Sequence, residues 1–236
     1  MTNQVADSVA RCQPNTGEFG SIKQIMKSPL NDFLKAQRHL ARRDRILRRV
    51  IKAVGPCTLT YRKDRFASLV RAIIAQQIST KAAAAIRGRL EQRLVVTGVT
   101  PEGVLALTPE ALSAVGLSAS KARSLQDLAE KVLSGAVPLS RLHRLPDEEV
   151  IASLIPVRGI GRWTAEMFLI FSLGRLDVLP VDDWGLRSGV KKHYELNEAP
   201  VRELLREMAE PWRPYRSIGT WYIWRSLGNV PSTTPK

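Results

Sequence analysis

The stretch Leu154-Ile155-Pro156-Val157-Arg158-Gly159-Ile160-Gly161-Arg162-Trp163-Thr164-Ala165 limits what this chain can fold into more than any other part of it. Two glycines around one isoleucine make a tight turn whose backbone can lie close to another backbone, while the isoleucine anchors the turn in a core. Helical patterns stand on both sides. Pro146-Asp147 opens one, and the other runs from about Arg162 through Met167, Phe168, Ile170 and Phe171 to Leu173, where Gly174 ends it. A helix that begins at such a turn points its unpaired N–H groups and the positive end of its dipole outward, which suits a phosphate oxygen. An ordinary helix-to-helix connection, with glycine serving only tight packing, fits the same triplet.

Most of the remaining chain is helical in pattern. Residues 1 to 28 are polar, aperiodic and interrupted by Pro14, Gly17 and Gly20, and read as a loose leader. From about residue 31, Leu40, Leu47, Val50, Ile51 and Val54 recur at helical spacing until Gly55-Pro56, and the opposite face carries Arg42, Arg45, Arg48, Arg49 and Lys52. That charged face is either simply solvated or a contact for DNA. Phe66, Leu69, Val70, Ile73 and Ile74 line one side of the next helix, which ends at Gln76-Gln77; Ser79 can cap the one after it. Thr108-Pro109-Glu110 opens a short helix closed by Gly116, and Ser120 to Leu133 forms another. Leu94 to Val99 is the nearest thing to a strand, short and isolated, so the expected class is all-α.

Lys and Arg number 36 against 22 Asp and Glu, a formal charge of +14, which favours a polyanionic partner such as nucleic acid. No apolar run approaches a membrane span and no signal-peptide pattern opens the chain, so an intracellular location is expected. Cys12 and Cys57 are the only cysteines, and His39, His143 and His193 lack metal-ligand spacing. The chemistry is therefore expected to run without a transition metal.

Leu179-Pro180-Val181-Asp182-Asp183-Trp184 precedes a further helix through Leu186, Val190 and Tyr194. The two acids can be caps for that helix. Alternatively, a carboxylate held at a helix start beside an apolar cleft can face a sugar carbon that becomes cationic as its bond to a base breaks, or orient a water. Pro211-Trp212-Arg213-Pro214-Tyr215 then leads into a helix with Trp221, Tyr222 and Trp224. Aromatics at such spacing are commonly core, yet Trp163 and Trp221 lie in segments that would flank a cleft, where indoles suit a flipped, electron-poor base.

With these motifs in this order, residues 31 to 228 resemble the alkylbase, or 3-methyladenine II type, DNA glycosylases of the helix-hairpin-helix superfamily. The motifs are Leu69 to Ser79, Gly159 to Ala165, Leu179 to Leu186 and Pro211 to Trp224. The resemblance implies a two-lobed helical fold with the active site between the lobes. In it, 29–60 and 190–236 make one lobe, and 61–189, with the hairpin at 155–164, makes the other. It implies Asp183 as the catalytic aspartate, with Asp182 as fallback, and Gly159, Gly161 and Thr164 as the positions that hold a DNA phosphate. Gln77 is implied as the side chain filling the gap left by the flipped base, and Trp163, Trp221 and Tyr222 as the lining of the base pocket. The implied partner is duplex DNA containing alkylated bases, and the protein is expected to act as a monomer. No cofactor is implied beyond a monovalent cation that the family's hairpin can hold through backbone carbonyls.

Relatives with lyase activity place a lysine where this chain has Trp163, so the resemblance implies hydrolysis without a Schiff base. The cysteine cluster of the endonuclease III and adenine-mispair branches is missing, as is the extra N-terminal β-domain of the longer bacterial enzymes. A noncatalytic DNA-binding protein that keeps the hairpin as a clamp, and a glycosylase for a deaminated or mispaired base, are the alternative readings. Only the enzymatic readings account for the aspartate and the aromatics that accompany the hairpin.

Overall fold

The computed structural model describes residues 29–228; the expected leader at 1–28, with Cys12, lies outside them. Those residues form twelve α-helices and two short 3-10 turns, with no strand among them. The all-α expectation holds. Leu94–Val99 is a turn closed by Gly98 N donating to Leu94 O at 2.7 Å, and Val95 and Val96 are exposed, so this apolar run has no sheet to join.

The long N-terminal helical run is two helices, α1 (Pro29–Arg43) and α2 (Arg45–Val54), because Asp44 takes an extended conformation and caps α2 from outside. Next come α3 (Arg65–Ala75), capped by Asp64, and α4 (Thr80–Arg93), capped by Ser79 as its sequence predicts. Short helices α5 (Pro101–Leu105) and α6 (Pro109–Ala114), each opened by Thr-Pro, pack on α7 (Ala119–Leu133). The hairpin joins α8 (Asp147–Leu154) to α9 (Arg162–Phe171). After it come α10 (Trp184–His193), α11 (Arg202–Met208) and α12 (Arg216–Ser226). The sequence pattern did not expose α5 or α11, both too short to show a helical period.

Two sets of helices pack among themselves. One is α1, α2, α10 and α12; the other is α3 through α9. Within the first, Gly189 of α10 meets α12 so closely that a Cβ at that position would lie 2.3 Å from Ile223 Cγ2. Asp44 ties the first set together. One carboxylate oxygen accepts from the backbone N–H groups of Ile46 and Leu47 at 2.8 and 3.0 Å. The other accepts from the buried Trp212 indole at 2.9 Å and from the Tyr194 hydroxyl.

Removing that carboxylate strips a helix cap and leaves an indole N–H and a phenol without a partner. Each such loss costs about 1 to 3 kcal/mol. Asp44→Ala is expected to lower stability by about 3 kcal/mol in urea unfolding, and a loss below about 1 kcal/mol would show that Asp44 does not join these elements.

Candidate active site

The hairpin is held from behind by α7. Asp127, paired with Lys131, accepts from the backbone N–H of Arg158 at 2.7 Å. Gly159 has φ +77, and a Cβ there would lie 2.7 Å from Ser124 Oγ, so this turn position needs glycine for both conformation and space. The end of α3 is fastened to the same helix: Lys121 Nζ donates to Ile74 O and Gln76 O, both at 2.7 Å, satisfying carbonyls that the end of a helix leaves open. Gln76 then reaches across, its amide donating to Gly159 O at 2.8 Å and, more loosely, to Thr164 Oγ1 at 3.4 Å.

Gly161 is different. It precedes α9 in an extended conformation, no side chain caps the helix there, and a Cβ would meet nothing within 4 Å. The start of α9 thus presents backbone N–H groups to open space. Thr164 is buried, with its hydroxyl turned to Gln76, so it offers a ligand its backbone rather than its side chain. Gln77, one residue beyond the bridging Gln76, is exposed and held at φ 57, a conformation uncommon for a residue with a Cβ. Sequence reasoning named Gln77 and missed Gln76, although the Gln-Gln pair ending an apolar helix was the available signal.

Asp183 sits at the mouth of α10, 7% exposed. Its Oδ1 accepts from Leu186 N at 2.6 Å, capping α10, and from Trp224 Nε1 of α12 at 2.8 Å. Its Oδ2 accepts from Trp163 Nε1 of α9, also at 2.8 Å. The cap expected from sequence is therefore made, and the same carboxylate also holds an indole from each of two other helices. Asp182 points elsewhere, paired with Arg202 at the surface.

The aromatic expectations need correction on one helix. Tyr222 is 0% exposed and its hydroxyl donates to Gly55 O at 3.0 Å, while Trp221 is 3% exposed and in edge contact with the Tyr222 ring. Both are core residues in this structure. At 100° per residue, positions 221, 222 and 224 point in three directions, and the one aimed at the aspartate is Trp224, which the sequence reading had left unassigned. Trp163, 37% exposed, is the indole that reaches both Asp183 and solvent. Trp184, directly after Asp183, is more exposed still.

On the other side of α9 lies a cavity of about 300 Å³ lined by Ile151, Arg162, Glu166, Val181 and Arg206 among others, with Asp183 not on its wall. Its charges satisfy one another: Arg162 pairs with Glu148 and Glu166, and Arg213 and Arg216 with Asp177. Glu166 is 4% exposed, and burial pushes its carboxyl up to about 7 despite the opposing pull of Arg162. No group of His, Cys, Asp or Glu fit for a metal occurs among the described residues. A monovalent cation at the hairpin would rest on backbone carbonyls, of which Gly159 O is already engaged by Gln76.

The family model described as HhH-GPD superfamily base excision DNA repair protein matches residues 70–214. DNA-3-methyladenine glycosylase 1 of Schizosaccharomyces pombe is 37% identical over 212 residues, which covers 87% of this chain and 92% of that protein. An alkylbase DNA glycosidase-like protein of the same yeast is 32% identical across 83% of this chain and 94% of its own length. Among solved structures, the 3-methyladenine DNA glycosylase of that yeast in complex with abasic DNA is similar with a TM-score of 0.73 at 35% identity, covering 85% of this chain and 100% of that one. A DNA-3-methyladenine glycosidase from Bacillus halodurans gives 0.73 at 36% identity, covering 86% and 91%.

The two hairpin glycines are expected to respond differently to a methyl group. Gly159→Ala should lose about 2 kcal/mol or more from its left-handed φ and the collision with Ser124, whereas Gly161→Ala should stay within about 0.5 kcal/mol of the parent in chemical unfolding. Equal losses would contradict the geometry described. Glu166 gives a pH signature. Because burial raises its folded pKa to about 7, the unfolded chain ionises first as pH rises from about 4.5, and the folded state loses stability, by roughly 3 kcal/mol in all, as pH rises toward 7. Glu166→Gln removes that loss, so the variant should gain on the parent between pH 4.5 and pH 8; parallel stability curves would refute the assignment.

Proposed function

The chain belongs to the HhH-GPD superfamily of base excision DNA repair proteins, and from that premise we propose that it acts as a single chain on alkylated purines such as 3-methyladenine and 7-methylguanine in duplex DNA, hydrolysing the N-glycosidic bond with Asp183 as its catalytic group. The observation that carries the residue assignment is the uneven treatment of the Asp183 oxygens. Oδ1 holds two donors from within the fold, while Oδ2 holds only the N–H of Trp163, an indole about a third exposed. Oδ2 is the oxygen a sugar can approach when Trp163 yields.

In this reading the open N-terminus of α9 at Gly161 receives a DNA phosphate, with Gly159 shaping the turn and Thr164 contributing backbone. General attraction from the basic surface makes binding fall steeply with salt. The damaged nucleotide leaves the stack, at a cost of a few kcal/mol that is smaller for a damaged base, and Gln77 enters the gap. Its exposure, its strained φ and the tether of neighbouring Gln76 to the hairpin support that role. The cationic base stacks on Trp163, whose indole stands beside Asp183.

Alkylation at a ring nitrogen has already made the base a good leaving group. As the bond from C1′ to the base nitrogen breaks, its electron pair neutralises the base, and the positive charge passes to the sugar. The fixed Asp183 carboxylate stabilises that charge without having to reorganise. Water then adds to C1′ and gives up a proton, leaving an abasic site and an intact strand. With Trp163 where a Schiff-base lysine would stand, no strand cleavage accompanies the step.

The test is base release from methylated duplex DNA, with strand breaks scored before and after alkali. Asp183→Asn places an amide NH2 against one of its indole or backbone donors and removes the charge. It should keep duplex binding and lose excision by about 100-fold or more, with breaks in the parent reaction only after alkali. Asp182→Asn should excise like the parent. Undiminished excision by Asp183→Asn would exclude it as the catalytic group, and absence of release by the parent despite tight duplex binding would exclude alkylated purines as substrate.

A further inference from the structure

One strongly charged surface takes no part in that mechanism. On α1, Lys35, Arg38 and Arg42 fall at i, i+3 and i+7, opposite the buried Phe33, Ala36 and Leu40. On α2, Arg45, Arg48, Arg49 and Lys52 fall at i, i+3, i+4 and i+7, opposite Leu47 and Val50. All seven side chains are exposed. Helical spacing lines each set into a stripe, and at 1.5 Å rise per residue the α2 stripe sets its cations within about 10 Å.

Elsewhere on the protein some arginines are matched with acids, Arg162, Arg175, Arg202, Arg213 and Arg216 among them, and others such as Arg93 and Arg123 stand exposed without a carboxylate partner. What sets the α1–α2 face apart is how many such cations it lines up on two adjoining helices. Its two helices contain only Asp32 and Asp44 as acids, and Asp44 is committed to Trp212, Tyr194 and the cap of α2. Among the described residues none of the seven cations is in an ion pair, and Arg48 Nε donates to Ala41 O at 2.6 Å. Like charges three and four residues apart repel and weaken the helix that carries them. The fold supplies no acid against that repulsion, so a polyanion lying along the face would be held by every cation of the stripe.

We propose that the exposed face of α1 and α2 is a second contact surface for the phosphodiester backbone of duplex DNA, separate from the hairpin. The proposal rests on the reading of this protein as an enzyme of DNA. Guanidinium groups match phosphate oxygens in pairs, and each cation of the stripe releases counterions from the duplex only where it touches a phosphate directly. The face is also fixed relative to the site. The Tyr222 hydroxyl of α12 bonds to Gly55 O at the end of α2, and two residues further along α12 Trp224 holds Asp183. A strand bound along α2 therefore has a set position relative to the catalytic carboxylate.

The experiment is a salt titration of binding to an undamaged 30-base-pair duplex by the full chain and by the triple variant Arg45→Gln, Arg49→Gln, Lys52→Gln. Folding is checked by thermal melting, which should not fall because repulsion has been removed. A second triple variant, Arg202→Gln, Arg206→Gln, Arg213→Gln, removes the same formal charge from a different surface. The stripe variant is expected to reduce the slope of log K against log salt by about 0.9 for each lost contact, hence by about 2 to 3, and the second variant by clearly less. An unchanged slope, or an equal reduction in both variants, would overturn the proposal. So would a stripe variant that keeps the parent slope on DNA but no longer binds phosphatidylserine vesicles, since the partner would then be a membrane surface. Base release by the parent, read in parallel, separates the two failures: release with an unchanged slope overturns this inference alone, and neither release nor duplex binding overturns the functional reading with it.

Discussion

Three helices converge on one carboxylate. Asp183 caps its own helix, α10, and takes an indole N–H from α9 on one oxygen and from α12 on the other. Burying a carboxylate is expensive unless donors replace the water it loses, and hydrogen bonds to a charged acceptor are stronger than neutral ones. The hairpin helix, the helix that bears the aspartate and the C-terminal helix are therefore registered to a common point. The close approach of Gly189 to Ile223 is the steric half of the same arrangement, because it lets α12 come near enough for Trp224 to reach.

The protein uses this device twice. Asp44, like Asp183, is a helix cap that accepts from backbone N–H groups on one oxygen and from a tryptophan indole, here Trp212, on the other. The difference lies in the remaining partner. Asp44 is completed by Tyr194, a partly buried phenol packed against the core, whereas Asp183 is completed by Trp163, an indole with about a third of its surface in solvent. Both carboxylates tie helices together, and Asp183, the more buried of the two, is the one whose second oxygen is covered by an exposed indole.

Charge is divided with comparable care. Around the cavity beside α9 each arginine has a carboxylate, and the single strongly shifted acid there, Glu166, is shifted by burial rather than by a reacting partner. The cations of α1 and α2 are left open to solvent. A net charge of +14 is thus an average over surfaces with different tasks.

How much of this was legible beforehand differs by element. The hairpin, the caps at Ser79 and Thr108 and the helical class follow from local rules, because glycine, capping side chains and a 3.6-residue period act over a few residues. Asp183 could be named by its motif, yet sequence could not separate a cap from a catalytic group, since both need the same residue at the same place. Gln76, Trp224 and the burial of Trp221 and Tyr222 were beyond its reach. Their partners lie 83 residues away for Gln76 and 41 for Trp224, and the direction of an aromatic on a helix that is apolar on nearly every side depends on which neighbours close around it. The sequence by itself determined the longer helical segments, several of their caps, and that one turn opens a bare helix N-terminus. Only the tertiary structure decided which side chains meet at the carboxylate, because that depends on how α7, α9, α10 and α12 pack, and packing is fixed by contacts between residues far apart in the chain.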